Sequence, residues 1–286
     1  MQQINKANVK LVSIETTRFR VDGGAMYGVV PKTMWSRHST PDQNNMVELA
    51  CRSLLIDTGS HVILIDTGLG NKSNFDDMKH YAPDTRYSLE ASLQQAGYTS
   101  ASVTHVINTH LHFDHCGGNT IKAPNGTLLP AFENANYYLS KAQYQSATHP
   151  NRREKASFLV ENFLPIAQAG RLTLLENQGE FLPGISLRFF HGHTAGLTAV
   201  FITVNEKTLV FAGDMLPAAA FVPMSWISAY DIEPLKVMAE KSAFLEEAVE
   251  NNYALFLQHD AQHECALLHR TEKGIRVQRT LQLSQW

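Results

Sequence analysis

Residues 110–115 read HLHFDH, which places four candidate metal ligands in six positions. His110, His112 and Asp114 alternate as side chains on one face of a strand do. His115 breaks that alternation, so a simple extended strand does not present the set. The stretch calls for a strand that delivers the chain into a turn, where one side chain points one way and the next another. At this chain's own residue frequencies, H-x-H-x-D-H arises by chance about once in a thousand chains of this length. A structural turn without chemistry is therefore a weak reading of it.

Immediately upstream, SVTHVINTH (102–110) is β-rich and leads straight into the cluster. Further back, VELACRSLLIDTGSHVILIDTGLG (47–70) holds two leucine-rich, β-branched runs around Gly59 and Ser60, a hairpin signature. The tetrapeptide IDTG occurs there twice, at 56–59 and at 65–68. The first copy sits at the turn, where Asp and Gly serve the backbone. The second ends a strand and opens a long polar loop, which leaves Asp66 able to face a site at the strand ends. Between these runs and the cluster, TRYSLEASLQQAG (85–97) has helical spacing through Leu89 and Leu93, with Gly97 as its stop.

Downstream come an amphipathic segment (154–170), short strands RLTLLE and ISLRFF, and a hairpin-like pair, LTAVFITV and KTLVFAGD. EPLKVMAEKSAFLEEAVENN (233–252) reads as a helix with Leu235, Met238, Leu245 and Val249 inward and its glutamates on a solvated face. YALFLQHD (253–260) is an apolar strand ending in His259 and Asp260. Strands interleaved with single helices indicate an α/β layered architecture, and adjacent strand pairs favour mixed sheets. No linker, low-complexity tract or repeat divides the chain, so residues 1–286 are expected to form one domain.

Composition narrows the partners. The 286 residues are 44% hydrophobic and 18% charged with a formal net charge of −3, which offers no phosphate-tracking surface and argues against nucleic acid. Apolar stretches such as LPAAAFVPM (216–224) fall short of a membrane span. The opening MQQINKANVK lacks the apolar core of a signal peptide, which gives the expectation of a cytoplasmic protein; a secreted form already trimmed of its leader would read the same. Cys51, Cys116 and Cys265 are an odd set at unrelated spacings, not a disulfide framework, and Cys116 reads as a small half-buried thiol. A small molecule is the expected partner.

Asp66, His110 onward, His193, Asp214 and His259 all lie where a strand-like run stops. Strand ends converge on one edge of a sheet, and His and Asp supply donors suited to zinc and neighbouring divalent metals. Seven ligands exceed what one tetrahedral ion needs; two ions sharing a carboxylate would use them all. His191 competes with His193, and His263 with His259; the strand pattern of 253–260 favours His259.

With these residues in place, THLHFDHCGGN resembles the signature of the metallo-β-lactamase fold superfamily, and GHTAGL (192–197), FAGD (211–214) and LQHD (257–260) resemble its later landmarks. The resemblance runs from about residue 47 to residue 260. It implies a four-layer αββα sandwich of two mixed sheets flanked by helices, with the metal site at one edge. It also implies two divalent ions per chain, zinc first, with manganese, iron or cobalt as alternatives. His110, His112 and His193 would hold one ion; Asp114, His115 and His259 would hold the second, with Asp214 bridging and Asp66 behind the ligands. Two such ions would carry a hydroxide between them, and Asp114 would also serve as general acid or base.

Departures within the superfamily refine the expectation. Its β-lactamases generally lack a bridging aspartate, its flavodiiron members carry Glu at the position of His112, and its RNA-processing members carry a large inserted domain. Glyoxalase II enzymes add a helical C-terminal region, whereas the tail ECALLHRTEKGIRVQRTLQLSQW reads mostly as strand. The groups that remain are the acyl-homoserine lactonases and hydrolases of organophosphate triesters. Pro217 stands where those lactonases carry a tyrosine; Tyr230 is the candidate replacement as oxyanion donor, with an ordinary surface or core tyrosine as the alternative. The loops around Met26, Trp35 and Trp226 are rich in Met and aromatics, which suits an apolar substrate pocket, core packing or the interface of a homodimer equally. The expected activity is hydrolysis of a small neutral ester, a lactone first and a phosphotriester second. A metal-stabilised binding protein without catalysis is the third reading.

Overall fold

Alternation along the central strands decides the layering. In a computed structural model describing residues 9–72 and 78–286, Leu54 and Ile56 face one way while Leu55 faces the other, and Ile63 and Ile65 are likewise opposed to Leu64. The same period of two recurs in the second half: Val200 and Ile202 against Ala199 and Phe201, then Leu209 and Phe211 against Val210. Strands buried on both faces need cover on both. The inner sets meet each other between two sheets, and the outer sets meet helices.

The first sheet takes β1 (Lys10–Asp22), β2 (Met46–Asp57), β3 (Val62–Ile65) and β4 (His105–Ile107). After the small β5 (Thr120–Lys122) and β6 (Leu128–Pro130) hairpin, it is completed by β7 (Asn136–Ser140) and β8 (Leu172–Leu175). β1, β2 and β3 pair antiparallel; β3, β4, β7 and β8 pair parallel. The second sheet holds β9 (Gly179–Leu182), β10 (Ile185–Phe190), β11 (Leu197–Val204), β12 (Lys207–Phe211), β13 (Ala254–Phe256), β14 (Cys265–Thr271) and β15 (Gly274–Leu281). Only β12 and β13 are parallel there, because a helix connects them. The two mixed sheets and their helical cover agree with the αββα expectation, and the tail is strand as read.

Short helices α1 (Gly23–Tyr27) and α2 (Lys32–Trp35) sit between β1 and β2, and α3 (Leu89–Gln95) between β3 and β4. α3 is capped by Ser88, whose Oγ accepts the Ala91 N–H, and it lays Leu89 and Leu93 on the outer face of the first sheet. A single turn, α4 (Phe113–Cys116), follows β4, and α5 (Lys141–Thr148) follows β7. The amphipathic stretch 154–170 resolves into turns and a five-residue α6 (Leu164–Gln168), with Pro165 in its first turn. α7 (Pro234–Glu250) covers the outer face of the second sheet through Val237, Phe244, Leu245 and Ala248.

Two details of α7 differ from the sequence reading. Leu235 is 80% exposed, and the inward stripe begins at Val237. The glutamates are not simply solvated: Glu247 takes a bidentate pair from Arg188 at 2.6 and 2.9 Å, and Glu240 accepts the backbone N–H groups of His191 and Gly192. All three cysteines are free and buried, Cys116 fully rather than half. Residues 1–8, on which the leader expectation largely rests, lie outside the described residues, as do 73–77 of the polar loop after Asp66.

Candidate metal centre

The break in HLHFDH has a local cause. After β4 the chain runs through an irregular, bent stretch to His112, whose own backbone is extended and which opens the single turn α4, with the His115 and Cys116 N–H groups donating to its carbonyl at 3.0 and 3.2 Å. Asp114 and His115 thus project from a helical turn, while His110 and His112 project from the irregular stretch before it. Neighbouring strand ends hold the turn: the Thr67 N–H donates to the His115 carbonyl at 2.7 Å, and Cys51 Sγ donates to that of Asp114 at 2.9 Å.

The other predicted residues arrive from the ends of β3, β10, β12 and β13. Their side-chain atoms form three overlapping groups: His110, His112, His193; His110, His115, Asp214; and Asp114, His115, His259. Within each, one donor atom per residue lies within 4.8 Å of the others. His259 Nε2 is 3.0 Å from Asp214 Oδ1, and His193 Nε2 is 3.4 Å from Asp214 Oδ2, so Asp214 stands between the histidine sets. His191 and His263 lie apart from them. His191 is exposed and its Nδ1 accepts the Gly196 N–H, while His263 closes the turn after Asp260.

The tautomers show what the cluster is built to hold. His115 Nδ1 faces Asp66 Oδ2 at 3.0 Å, His193 Nδ1 faces Asp231 Oδ1 at 2.8 Å, and His259 Nδ1 faces the Ala50 carbonyl at 2.8 Å. Each outward nitrogen faces an acceptor and therefore carries the proton. His110 Nδ1 faces Thr109 Oγ1 at 3.0 Å; that hydroxyl gives its own proton to Asp66 Oδ2, so it accepts from the imidazole. In their neutral form these imidazoles present their inward Nε2 atoms as lone pairs. Those of His115 and His259 are 3.2 Å apart, and those of His110 and His193 lie 3.0 and 3.2 Å from His112 Nδ1. Lone pairs converging at such distances repel unless a cation sits among them, and outward N–H groups on carboxylates and carbonyls are the usual support of metal-bound imidazole. The donor set fits divalent metal.

Charge agrees. Burial, with neighbouring imidazoles, holds His110 well below the ordinary imidazole value. Burial also opposes charge on His115, yet Asp214 and Asp114 raise it well above that value. The carboxylates thus demand positive charge, which a cation supplies.

Asp66 is the hub behind the cluster. Fully buried, it accepts the Thr109 N–H and hydroxyl, both at 2.7 Å, and Gln258 Nε2 at 3.0 Å in addition to His115. One carboxylate therefore ties together the ends of β3, β4 and β13. Arg52, also buried, donates to the carbonyls of Leu257, Asp260 and His263 and fixes the loop that carries His259.

Above the cluster lies a cavity of about 120 Å³, on the scale of the reactive end of a small molecule. Phe19, Val21, Met26, Leu49 and Phe113 form its apolar wall, with Tyr230 also facing it. Desolvation pushes the Tyr230 hydroxyl up to about 12, so it remains a proton donor at neutral pH. Of the three residues read as pocket wall, core or interface alike, Met26 lines the cavity; Trp35 and Trp226 do not. Trp35 is stacked on Tyr27 with centroids 5.1 Å apart, and Trp226 packs edge-on against the same ring. The loop carrying Trp226 is tied down from α7, where buried Lys241 Nζ donates to the carbonyls of Phe221, Pro223 and Trp226.

The sequence reading missed two carboxylates. Asp231 backs His193, and Glu154 lies buried with Oε1 3.4 Å from His112 Nε2. Burial works against the Glu154 charge, but His112 and Thr194 hold the carboxyl below the ordinary glutamate value. Each is a single acidic residue in an irregular loop, without periodicity or spacing to mark it.

A family model described as "Metallo-beta-lactamase superfamily" matches residues 46–259. The N-acyl homoserine lactonase of Bacillus cereus is 26% identical over 61% of this chain and 67% of its own length; that of Bacillus thuringiensis matches over 62% of its length. Among solved structures, a probable metal-dependent hydrolase from Staphylococcus aureus superposes with a TM-score of 0.87 at 26% identity, covering 99% of this chain and 98% of that one. AidC, described as a dizinc quorum-quenching lactonase in complex with a product, superposes with a TM-score of 0.77 at 19% identity over 96% and 95% of the two chains, a likeness of fold.

Proposed function

The chain belongs to the metallo-beta-lactamase superfamily and is a metal-dependent hydrolase, and on that footing we propose that it opens a small neutral ester, a lactone in the first place, at a site for two divalent ions, zinc foremost. The observation that carries this reading is the cavity: an apolar wall, the 42% exposed Tyr230 side chain and a cluster of converging donors border one small volume. His110, His112 and His193 would hold one ion, and Asp114, His115 and His259 the other, with Asp214 between. Bound there, divalent metal supplies Lewis acidity and activates water at neutral pH.

The protein's own groups do the remainder. Met26, Leu49 and Phe113 exclude water from an uncharged substrate and favour its apolar part. The Asp114 carboxylate, 14% exposed and facing the cavity, takes the proton of the attacking water and returns it to the alkoxide of the opened ring. The Tyr230 hydroxyl donates to the oxygen on which charge develops. Its place in the cavity wall supports this role where Pro217 offers no donor.

The test is a hydrolysis panel on metal-replete protein: alkyl lactones, activated aryl esters, aryl phosphate triesters and β-lactams, compared by kcat/KM. Lactones should lead and β-lactams be negligible. A triester exceeding every lactone about tenfold, some 1.4 kcal/mol of transition-state preference, would replace the carboxylic ester with a phosphorus centre. Wild-type protein that takes up no metal would remove the reading altogether.

A further inference from the structure

Four of the five cluster histidines have their outward nitrogen matched to an acceptor in hydrogen-bond contact; His112 is the exception. Its Nε2 is buried without a hydrogen bond, and so is Glu154 Oε1, 3.4 Å away. Two buried orphans facing each other, one able to donate and one able only to accept, complete each other after a shift of a few tenths of an ångström. We propose that Glu154 is the positioning carboxylate of His112: it takes the Nε2–H and thereby turns Nδ1 into the lone pair that joins His110 Nε2 and His193 Nε2. This rests on the reading that those three histidines hold a metal.

The loop is built to aim Glu154. In HPNRREK, Asn151 Oδ1 accepts the Arg153 and Glu154 N–H groups, both at 2.9 Å, which folds the turn. Its amide Nδ2 donates to Glu154 Oε2. One carboxylate oxygen is thus held from behind, and the other faces His112. The arrangement also predicts which replacement fails. In Glu154→Gln, the Asn151 amide donor holds the glutamine oxygen on its own side and turns the NH2 toward His112. That favours a bare Nε2 and a protonated Nδ1, the tautomer unable to bind. Changing Asn151→Asp in the same chain keeps the backbone cap and gives the glutamine NH2 an acceptor, so its oxygen returns to His112.

The experiment measures cobalt and zinc affinity by chelator competition, with the visible cobalt spectrum reporting coordination, on wild type, Glu154→Ala, Glu154→Gln and Asn151→Asp/Glu154→Gln. Melting of each metal-free protein checks that it folds. Glu154→Ala and Glu154→Gln should each weaken one of two metal equivalents about 10–100-fold, the range for loss of a histidine's outer partner, and leave the other near wild type. The double variant should recover most of the loss. Wild-type affinity in either single variant overturns the proposal, as does a folded double variant no better than Glu154→Gln. Absence of metal in wild type would instead strike the functional reading on which it rests.

Discussion

The two copies of IDTG share four residues and almost nothing else. In both, the isoleucine (Ile56, Ile65) is buried between the sheets. From the next residue they diverge. Asp57, at the hairpin end, is half-buried; its Oδ1 accepts the Gly59 N–H at 2.8 Å and its Oδ2 the Tyr98 hydroxyl at 2.7 Å. Asp66 is fully buried, has a left-handed φ of +58°, and holds three strand ends and a cluster histidine. Thr58 bonds within its own turn, whereas Thr67 reaches His115 and Asn119. A sequence that merely closes a hairpin at one edge of the sheet organises the site at the other, because only there do other strands end beside it.

Removing Asp66 breaks this comparison most forcefully. Asp66→Ala orphans the Thr109 N–H and hydroxyl, Gln258 and His115 Nδ1 in a site without water access, and should cost about 3–5 kcal/mol in urea unfolding. It should also loosen metal, because His115 loses the acceptor that fixes its tautomer. A loss under about 1 kcal/mol would mean that Asp66 is no hub and that the two copies are more alike than their contacts.

The glycines give the second contrast. Both have positive φ, +81° at Gly59 and +71° at Gly68, so any L side chain is strained at either. At Gly68 a Cβ would also meet Thr16 Oγ1 at 2.0 Å, and that hydroxyl is committed to the Cys51 carbonyl. Gly59→Ala, at an exposed turn, should therefore cost about 1–2 kcal/mol for the left-handed backbone, and Gly68→Ala about 2–4 kcal/mol with overpacking added. Equal costs in parallel denaturation curves would show that Thr16 yields freely.

The contrast also explains what sequence could reveal. Strand ends and alternation anticipate the layered sheets and the convergence of the residues after β3, β4, β10, β12 and β13, because those signals are local. Side-chain partners supplied from a distance are not. Nothing near Glu154 or Asp231 marks them, since their places depend on how loops 150–158 and 228–232 lie over the cluster. Trp35 and Trp226 are read equally well as wall or core; packing around Tyr27 decides for core. Leu235 fits the helical period but lies outside the buried stripe, which starts at Val237.

The finest test uses the one partner that distinguishes the first copy. Tyr98 follows the turn after α3, and its hydroxyl meets Asp57; desolvation and that carboxylate push it up to about 12 from 10.0. Between those values the folded protein keeps a proton that the unfolded chain has lost. Stability from this contact is therefore complete below about pH 10 and falls as pH rises toward 12. Tyr98→Phe should cost about 1 kcal/mol at pH 8, the scale of one partly exposed hydrogen bond. The gap to wild type should then narrow in urea unfolding at pH 11, because there the unfolded wild type gains stability by losing the Tyr98 proton while the phenylalanine variant has none to lose. A gap that stays constant between the two pH values would show that Asp57 and Tyr98 do not interact in solution. The first IDTG would then be a turn and nothing more, and its difference from the second would be sharper still.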